Sequence, residues 1–285
     1  MAPLTVILVF LLVAVVGVAY YAIRIEPFRI LMPEYETPCP GLPEELDGLR
    51  IAHVTDIHIG VTQGNRKAVE RAIKAARADL FALTGDYLYG HGGGEEFAHW
   101  LPGIGGVPLP ALAVTGNGEY KRFAPRELVV EALRGCGIPV LRNDCTLVPV
   151  RGGELQVVGV DDPHTGHADV DAAFAAADPD RWTLMLAHSP DALFDMEGKR
   201  CDLMLCGHTH GGQVKLPILG AVSRHLRRGR AIYSGWYGPT EIEAVVGFAV
   251  GGLRVFISRG MGTARLAIRY NAPPELPIHI LRRVA

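Results

Sequence analysis

The chain has 285 residues, of which 49% are hydrophobic, and its formal net charge is −2. This length is ample for one large globular domain with its own core, so the fold does not need disulfide staples. The near-neutral charge balance gives no general attraction to nucleic acid, and no nucleic-acid partner is expected. Five cysteines at irregular spacing do not form the pattern of a disulfide framework, which favours a reducing compartment.

The first segment of the chain is strongly apolar. Residues 4–23, LTVILVFLLVAVVGVAYYAI, contain one mildly polar side chain, Thr5. A helix of this length spans about 30 Å, the hydrocarbon thickness of a bilayer, so residues 1–24 are predicted to be a transmembrane anchor. A cleaved signal peptide is the alternative, but it would have a basic segment before a shorter apolar run. Arg24 and Arg29 follow the run, which favours a body on the cytoplasmic side.

The rest of the chain alternates apolar runs with helical patterns. Residues 25–48, with five prolines, are predicted to be a linker, and residues 49–285 the folded domain. Strands are predicted at 49–60, 79–88 and 111–120, with an amphipathic helix from Asn65 to residue 79 and a short helix around Phe97 between them. This alternation predicts parallel strands joined by helical crossovers. A helix near 125–135 follows, and later strands are expected around 155–162, 182–189, 202–210, 231–236 and 253–258. Because few helices separate these later strands, a second and more mixed sheet is expected.

Several of these strands end in side chains that bind metals. They are Asp56, His58, Asp86, Asn117, His188, His208 and His210. Loops beyond the carboxyl ends of strands in open α/β sheets gather into one crevice, so we expect one pocket. The members of the pairs 56/58 and 208/210 are two residues apart, so an extended backbone would point both to one side. The glycines around the second pair would then let the backbone turn away and leave the imidazoles exposed to the site. Seven oxygen and nitrogen ligands suffice for two divalent cations that share one carboxylate.

Taken singly, these residues and their neighbours have ordinary alternatives. Asp86 alone would be interpreted as a turn former or helix cap, and His188 before a Ser-Pro pair as a turn residue. His53 points to the opposite side of its strand from Asp56, so it is expected to pack in the core. Cys206 is expected to be a buried strand position. The prediction of a metal site therefore depends on the joint pattern, in which five separate strands each end in one or two of the candidates.

The order of these segments resembles that of the calcineurin-like metallophosphoesterases. The family motifs D-x-H, G-D, G-N-H-[DE], H and G-H-x-H correspond to residues 56–58, 85–86, 116–119, 188 and 207–210, and the resemblance extends from residue 49 to the end. It implies an α/β fold, a four-layer α/β/β/α sandwich, here preceded by one transmembrane helix. It also implies two divalent metal ions, with manganese preferred and iron or zinc as alternatives. One ion would bind Asp56, His58, Asp86 and His210. The other would bind Asp86, Asn117, His188 and His208, with Asp86 bridging.

The same resemblance implies an enzymatic function. The segments GHTHGGQVKLP, VDDP and RGMGTARLAIRYNAPPELPIHIL look like those of the membrane-anchored bacterial branch, which includes proteins similar to UDP-2,3-diacylglucosamine pyrophosphatases. This implies a hydrolase in which a hydroxide held between two metals attacks a phosphoester or pyrophosphate. Its partners would be a phosphorylated lipid or nucleotide sugar and the bacterial inner membrane, with the catalytic domain facing the cytoplasm. A phosphoesterase of soluble substrates and a metal-bearing binding protein with little or no turnover remain alternatives.

One position departs from the family motif. Gly118 stands where the family has a histidine, which is thought to contact the phosphate and help to protonate the leaving group. Either the leaving group needs no proton, as when a nucleoside monophosphate leaves from a pyrophosphate, or His164 or His167 replaces the missing imidazole. Asn117 is a further expected substrate contact, since its carbonyl can bind a metal while its NH₂ group reaches a substrate oxygen.

Two further features bear on the substrate. The basic segment 223–230, SRHLRRGR, is expected to be a solvated loop, with contact to anionic headgroups or to a second phosphate of the substrate as the alternative. Trp100, Leu101, Trp236 and Tyr237 are candidates for an apolar wall against acyl chains, with core packing as the alternative.

Overall fold

The computed structural model describes residues 3–61, 65–89, 93–121, 126–228 and 231–284. Helix α1 (Pro3–Tyr20) is followed by five π-helical residues (Tyr21–Ile25) and a short 3₁₀ turn (Glu26–Phe28). The helical segment Pro3–Phe28 is long and apolar enough to cross a membrane, and it contains an 18-residue stretch with a mean hydropathy of 2.8. None of the residues of α1 is buried against the body, so the helix projects from it.

Besides short 3₁₀ helices at Glu44–Leu46, Pro190–Asp195 and His210–Gly212, the body contains thirteen strands and five further α-helices within the described residues. In chain order they are β1 (Glu34–Pro40), β2 (Arg50–Val54), α2 (Arg66–Ala75), β3 (Leu80–Thr84), α3 (Gly93–Gly103), β4 (Ala111–Val114), α4 (Arg126–Gly135), β5 (Asp144–Val150), β6 (Gly153–Gly159), α5 (Val170–Phe174), β7 (Thr183–Leu186), β8 (Leu203–Cys206), β9 (Lys215–Leu216), β10 (Gly220–Ala221), β11 (Gly235–Tyr237), α6 (Pro239–Val246), β12 (Arg254–Ile257) and β13 (Ile278–Val284).

Two sheets account for most of these strands. The first has the order β1-β13-β2-β3-β4, and its neighbours β2, β3 and β4 run parallel, as the alternation of strands and helices predicted. The second has the order β11-β12-β8-β7-β6-β5. Its four central strands are parallel, while β5 and β11 run antiparallel at the two edges. The expected second, mixed sheet is thereby confirmed.

The sheets pack face to face, with helices on both outer sides. In β3, Leu80 and Ala82 face the core between the sheets, whereas Phe81 and Leu83 face the core beneath the helices α2 to α4. This alternation follows from the period of two in a strand, and burial on both faces explains the continuous apolar run. A third core lies under α5 and α6 on the second sheet. The predicted four-layer α/β/β/α sandwich is therefore confirmed.

Helix α2 shows how the sequence pattern orients an element. Val69 and Ile73 are buried on one face, and Ala76 packs against the same core just beyond the helix. Asn65 occupies the N-cap position, but its side chain makes no cap hydrogen bond. Its Nδ2 instead donates to the carbonyl of Met261 at 2.7 Å, so this residue ties α2 to a distant loop.

The segment 25–48 is part of the folded body, which corrects the expectation of a linker. Strand β1 lies within it and pairs in parallel with β13 over its whole length. Leu42 and Leu46 are buried in the core between the sheets. Proline lacks the N–H that a central strand needs, but it is tolerated in an edge strand, and β1 is the edge of its sheet. The prolines therefore mark an edge strand here.

Candidate metal centre

Six of the seven expected ligands form two groups beyond the carboxyl ends of the strands. One group is Asp56, His58 and His210; the other is Asp86, His188 and His208. In each group, one ligand atom per residue lies within 4.8 Å of the others. The seventh expected ligand, Asn117, joins the second group, since its Oδ1 lies 3.1 Å from His188 Nε2. The structure thus brings all seven side chains together.

Asp86 belongs to the second group but also reaches the first. Its Oδ2 is 3.4 Å from His58 Nε2, and its Oδ1 is 3.3 Å from His188 Nε2. The backbone N–H of Gly118 donates to the same Oδ1 at 2.5 Å. One carboxylate therefore presents an oxygen to each group, which is the arrangement expected of a bridging ligand.

The chemistry of the first group fits a cation. His58 Nε2 and His210 Nε2 are 2.9 Å apart, and Asp56 Oδ1 is 3.4 Å from His210 Nε2. That Asp56 oxygen is buried without a hydrogen-bond partner. An unpaired buried carboxylate oxygen is destabilising, whereas imidazole nitrogens and carboxylate oxygens are the ligands that manganese, iron and zinc accept. The residues present therefore fit a divalent ion.

Burial keeps three of the four ligand imidazoles neutral. It lowers the pKa of His58 to about 4, and it lowers the pKa values of His208 and His210 well below their usual range. These rings are therefore neutral at pH 7, the form in which imidazole binds a metal. Burial also raises the pKa of Asp56 to about 6, because a charged carboxylate is poorly solvated there.

His188 and Asp86 behave as a charged pair. Burial would lower the pKa of His188, but the adjacent Asp86 carboxylate raises it to about 10. Burial would likewise raise the pKa of Asp86, but the charge of His188 and its hydrogen bond hold it well below the usual range. Binding of a metal to His188 thus requires the loss of that proton.

The backbone around the ligands is left-handed, which corrects the expectation of extended pairs. The φ angles are 51° at Asp56, 50° at His58, 54° at Asp86, 69° at His208 and 52° at His210. Residues other than glycine rarely adopt a left-handed backbone conformation, and those that do concentrate at functional sites. The two members of each pair therefore converge because the chain turns after the strand. The alternation of side chains along an extended strand does not explain their positions.

The glycines around the second histidine pair have two different roles. A Cβ at Gly207 would lie 2.3 Å from both Asp56 Oδ2 and Thr55 Oγ1, so only glycine lets β8 approach the loop after β2. Gly212 has a φ of 82° and would place a Cβ 2.4 Å from that of Ala221. The expected sharp turn is present at Gly212, but close packing is the reason at Gly207.

Glu119 holds two of the ligand loops together. Its carboxylate accepts hydrogen bonds from the backbone N–H groups of Asp86 at 3.0 Å, Tyr87 at 2.9 Å and Gly116 at 2.8 Å. Burial and the charge of Asp86 raise its pKa to about 8. Glu119 matches the last position of the third family motif, but the sequence alone did not indicate this bracing role.

Arg269 is a fully buried guanidinium beside His210, and sequence reasoning missed it. It donates to the carbonyls of Gly262 at 2.9 Å, Ala272 at 2.8 Å and Arg259 at 2.7 Å. Burial lowers its pKa to about 10, which still leaves it charged at pH 7. No local pattern marks it, because its partners are carbonyls that meet only in the folded chain.

A cavity of about 380 Å³ opens above the two groups. Besides five of the ligands, its wall is formed by Tyr89, Lys121, His164, His225, Ala264 and Arg265. His164 lies against His208, with 4.6 Å between the ring centroids. His167 is absent from this wall, since it stacks on Tyr120 at 3.7 Å. The structure therefore brings His164, but not His167, to the candidate substrate site.

Most of the other residues that the sequence analysis singled out lie in the hydrophobic cores. His53 is fully buried, with Nε2 2.8 Å from Thr84 Oγ1, and Cys206 is a buried strand end, both as expected. Trp236 packs on Phe256, and Trp100 packs on Phe97, so these rings take the core alternative and form no wall for acyl chains. Leu101 and Tyr237 likewise pack against the cores beneath the helices. Within 223–230, His225 reaches the cavity, while Arg230 lies outside the described residues.

The chain is similar to several known proteins. The family model for the calcineurin-like phosphoesterases matches residues 49–212. The uncharacterized metallophosphoesterase YkuE of Bacillus subtilis is 26% identical over 267 residues, covering 92% of this chain and 89% of that protein. The UDP-2,3-diacylglucosamine pyrophosphatase LpxG of Chlamydia trachomatis is 22% identical over 309 aligned residues, covering 90% of each chain. The phosphodiesterase YaeI of Escherichia coli is 32% identical over 170 residues, covering 59% of this chain and 56% of YaeI.

Proposed function

The chain belongs to the calcineurin-like phosphoesterase family, and from this we propose that it is a metal-dependent hydrolase of a phosphoester or pyrophosphate in a membrane-associated substrate. The observation that carries the proposal is the position of Asp86 between two groups of imidazoles. One divalent ion would bind Asp56, His58, His210 and Asp86. The second would bind Asn117, His188, His208 and Asp86. Manganese is the proposed metal, with iron and zinc as alternatives that suit the same ligands.

The cavity wall suits an anionic substrate. Two divalent ions, when bound, supply positive charge that stabilises the phosphate oxygens during an in-line displacement. Lys121 and Arg265 add cationic side chains to the wall of the cavity. The NH₂ group of Asn117 is available to a substrate oxygen if its carbonyl binds a metal. Burial lowers the pKa of His164, so at pH 7 this ring is neutral and serves as a hydrogen-bonding group.

Gly118 supports a leaving group that departs as an anion. A Cβ at this position would lie 2.9 Å from both Asp86 Oδ1 and the carbonyl oxygen of Leu88, so a histidine would require the backbone to shift. Nothing at position 118 can therefore protonate a leaving group. A nucleoside monophosphate released from a pyrophosphate needs no such proton.

A lipid-linked nucleotide sugar such as UDP-2,3-diacylglucosamine is the proposed substrate. The similarity to LpxG over 90% of both chains supports this class. The apolar helix Pro3–Phe28 supports a single-pass anchor in the bacterial inner membrane. Arg24 and Arg29, exposed at the end of that helix, support a body on the cytoplasmic side.

The test uses the full-length protein, first freed of metal. We expect turnover of bis(p-nitrophenyl) phosphate to appear only when manganese, iron or zinc is restored. UDP-2,3-diacylglucosamine should then be hydrolysed with a higher kcat/KM than its deacylated form. Equal values for the two sugars would favour the alternative of a soluble substrate. An absence of turnover with every ion would favour a metal-bearing binding protein.

A further inference from the structure

A group of exposed apolar side chains lies next to the cavity, and we call it the apolar rim. Its members are Leu216, Ile218, Leu219, Val222 and Leu266. Ile218 is fully exposed, and Leu219 is 79% exposed. Clustered apolar side chains of this kind on a protein surface mark a contact with another molecule or with a membrane.

Three of the five residues, Leu216, Ile218 and Leu219, belong to the hairpin of β9 and β10, and Val222 follows it directly. Leu216 pairs with Gly220 in the antiparallel ladder, so the loop between them is Pro217-Ile218-Leu219. Hairpin loops in water favour asparagine, aspartate and glycine, and left-handed positions favour glycine. Here Ile218 has a φ of 70°, a conformation that β-branched residues avoid. The hairpin therefore holds two apolar side chains outward in spite of local strain.

Hydrogen bonds connect this hairpin to the end of the N-terminal helix. The N–H of Lys215, at the start of β9, donates to the carbonyl of Tyr270 at 2.8 Å. The N–H of Arg269 donates to the carbonyl of Ala22 at 2.9 Å. The Glu26 carboxylate then accepts hydrogen bonds from Asn271 at 3.0 Å and Ala272 at 2.6 Å. The segment 269–272 thus forms hydrogen bonds both to the hairpin and to the residues where the apolar helix joins the body.

The fifth residue of the apolar rim is held against the same hairpin. The side-chain amide of Gln213 donates to the carbonyls of Ala264 at 3.0 Å and Leu266 at 3.2 Å. Its Oε1 accepts the N–H of Ala264 at 2.8 Å. Arg265, between these two residues, lines the cavity. The loop that carries Leu266 therefore forms part of the cavity wall and part of the apolar rim.

Cationic side chains adjoin the apolar rim and the end of the N-terminal helix. Arg265 is exposed beside Leu266, and Arg24 and Arg29 are exposed where the N-terminal helix ends. Lys215 begins the hairpin and is partly exposed. Apolar side chains flanked by lysine and arginine fit the boundary between acyl chains and anionic headgroups. This charge pattern favours a bilayer over a second protein as the occupant.

We propose that the apolar rim inserts into the membrane beside the anchor and holds the mouth of the cavity at the level of the lipid headgroups. The site would then receive a phosphorylated lipid from the leaflet on the side of the body. The inference rests on the proposed function and on its membrane anchor. It adds a second contact with the bilayer, which positions the cavity.

The test measures quenching of tryptophan emission by brominated lipids. The full-length protein is reconstituted into vesicles of phosphatidylcholine and phosphatidylglycerol, with and without bromine on the acyl chains. Leu219→Trp reports on the apolar rim, and Phe10→Trp reports on the middle of α1. Leu109→Trp is the matched control, because Leu109 is exposed just before β4, at the end of the strands opposite the cavity. Emission of each variant is corrected for that of the parent protein.

We expect the added emission at positions 10 and 219 to be lost in brominated vesicles, and that at position 109 to be unchanged. Bromine near the glycerol backbone should quench position 219 more than bromine near the chain end. Unquenched emission at position 219 would overturn the inference, and so would equal quenching at positions 109 and 219. Emission at 219 that responds to protein concentration and not to bromine would assign the apolar rim to a second copy, which also overturns it.

An activity measurement adds an independent arm. Ile218→Glu combined with Leu219→Glu should lower turnover of a diacyl nucleotide sugar in vesicles and leave turnover of bis(p-nitrophenyl) phosphate unchanged. Unchanged turnover of the vesicle substrate would contradict the inference. If the parent protein hydrolyses neither compound, the proposed function fails, while the quenching measurement still decides whether the apolar rim enters the bilayer.

Discussion

At the scale of single residues, the candidate centre depends on Asp86. Its two oxygens face different groups of imidazoles, and its backbone N–H is held by Glu119. Both contacts require the left-handed turn at Asp86, because an extended chain would direct the carboxylate elsewhere. A single side chain therefore couples the two proposed ion sites, and removing its charge affects both.

We expect Asp86→Asn to lower turnover by at least about 100-fold. Mutation of a residue that only orients a metal ligand lowers metal affinity or activity by roughly 10- to 100-fold. Asp86 is proposed to bind both ions directly, so its effect should be larger. Metal analysis of the purified variant should show fewer than two ions per chain. Asp180→Asn is the matched control, since Asp180 is exposed in the loop before β7, at the opposite end of the strands. Full metal content and activity in Asp86→Asn would refute its bridging role.

At the scale of elements, close packing determines the position of the loop after β8. It carries His208 and His210 and lies directly against the loop after β2, which carries Asp56. The His208 N–H donates to Asp56 Oδ2 at 3.0 Å, so the two loops share a hydrogen bond as well as a candidate ion site. Gly207 permits this approach because it lacks a Cβ.

Gly207→Ala should destabilise the protein by about 1–3 kcal/mol, the usual range for an inserted methyl group in a packed site. The new Cβ would displace Asp56, so turnover should fall as well. Gly252→Ala is the control, because a Cβ there meets no atom within 4 Å. Urea denaturation of both variants measures the difference. Equal stability of the two variants would show that the loops do not need this close approach.

Strand β1 gives a second prediction at this scale. A chain that starts at residue 49 lacks β1 and the buried side chains Leu42 and Leu46, whose burial contributes about 1.5–3 kcal/mol each. A chain that starts at residue 21 keeps all of them. We expect the shorter chain to aggregate or to melt at a clearly lower temperature in circular dichroism. Equal melting temperatures would restore the view of this segment as a linker.

At the scale of the whole molecule, the candidate centre joins the two sheets. Asp56 and His58 follow β2 of the first sheet, whereas His210 follows β8 of the second. The second group combines Asp86 after β3 with His188 after β7. Each proposed ion would therefore link one sheet to the other at the end of the sandwich where the core between them ends.

Metal binding should accordingly stabilise the fold. A ligand at 100 times its Kd adds about 2.7 kcal/mol per site. For a domain of this size, one such site raises the Tm by roughly 5–10 °C. Calorimetry of the full-length protein with a chelator and then with manganese measures the shift, and Asp86→Asn should show a smaller one. An identical Tm with and without metal would argue against both sites.

Much of this protein could be predicted from local sequence. Apolar runs of strand length, interrupted by an amphipathic helix, indicated parallel sheets because hydrophobic periodicity is a property of neighbouring residues. Metal-binding side chains at the ends of those runs indicated one pocket, since the carboxyl ends of parallel strands meet at one edge. The identity of the seven candidate ligands and the family therefore followed from the order of the residues.

Other features depended on contacts between distant parts of the chain. The prolines of β1 led to the prediction of a linker, because the pairing of β1 with β13 cannot be inferred from either segment alone. For the same reason, no local signal predicts the burial of Arg269 or the left-handed turns at the ligands. Nor does one predict that His164 lies at the cavity whereas His167 does not. The position of the apolar rim near the end of the N-terminal helix is likewise a property of the folded chain. Local sequence determined which side chains are available for chemistry, and the tertiary structure decided which of them meet, because that depends on how loops far apart in the chain pack together.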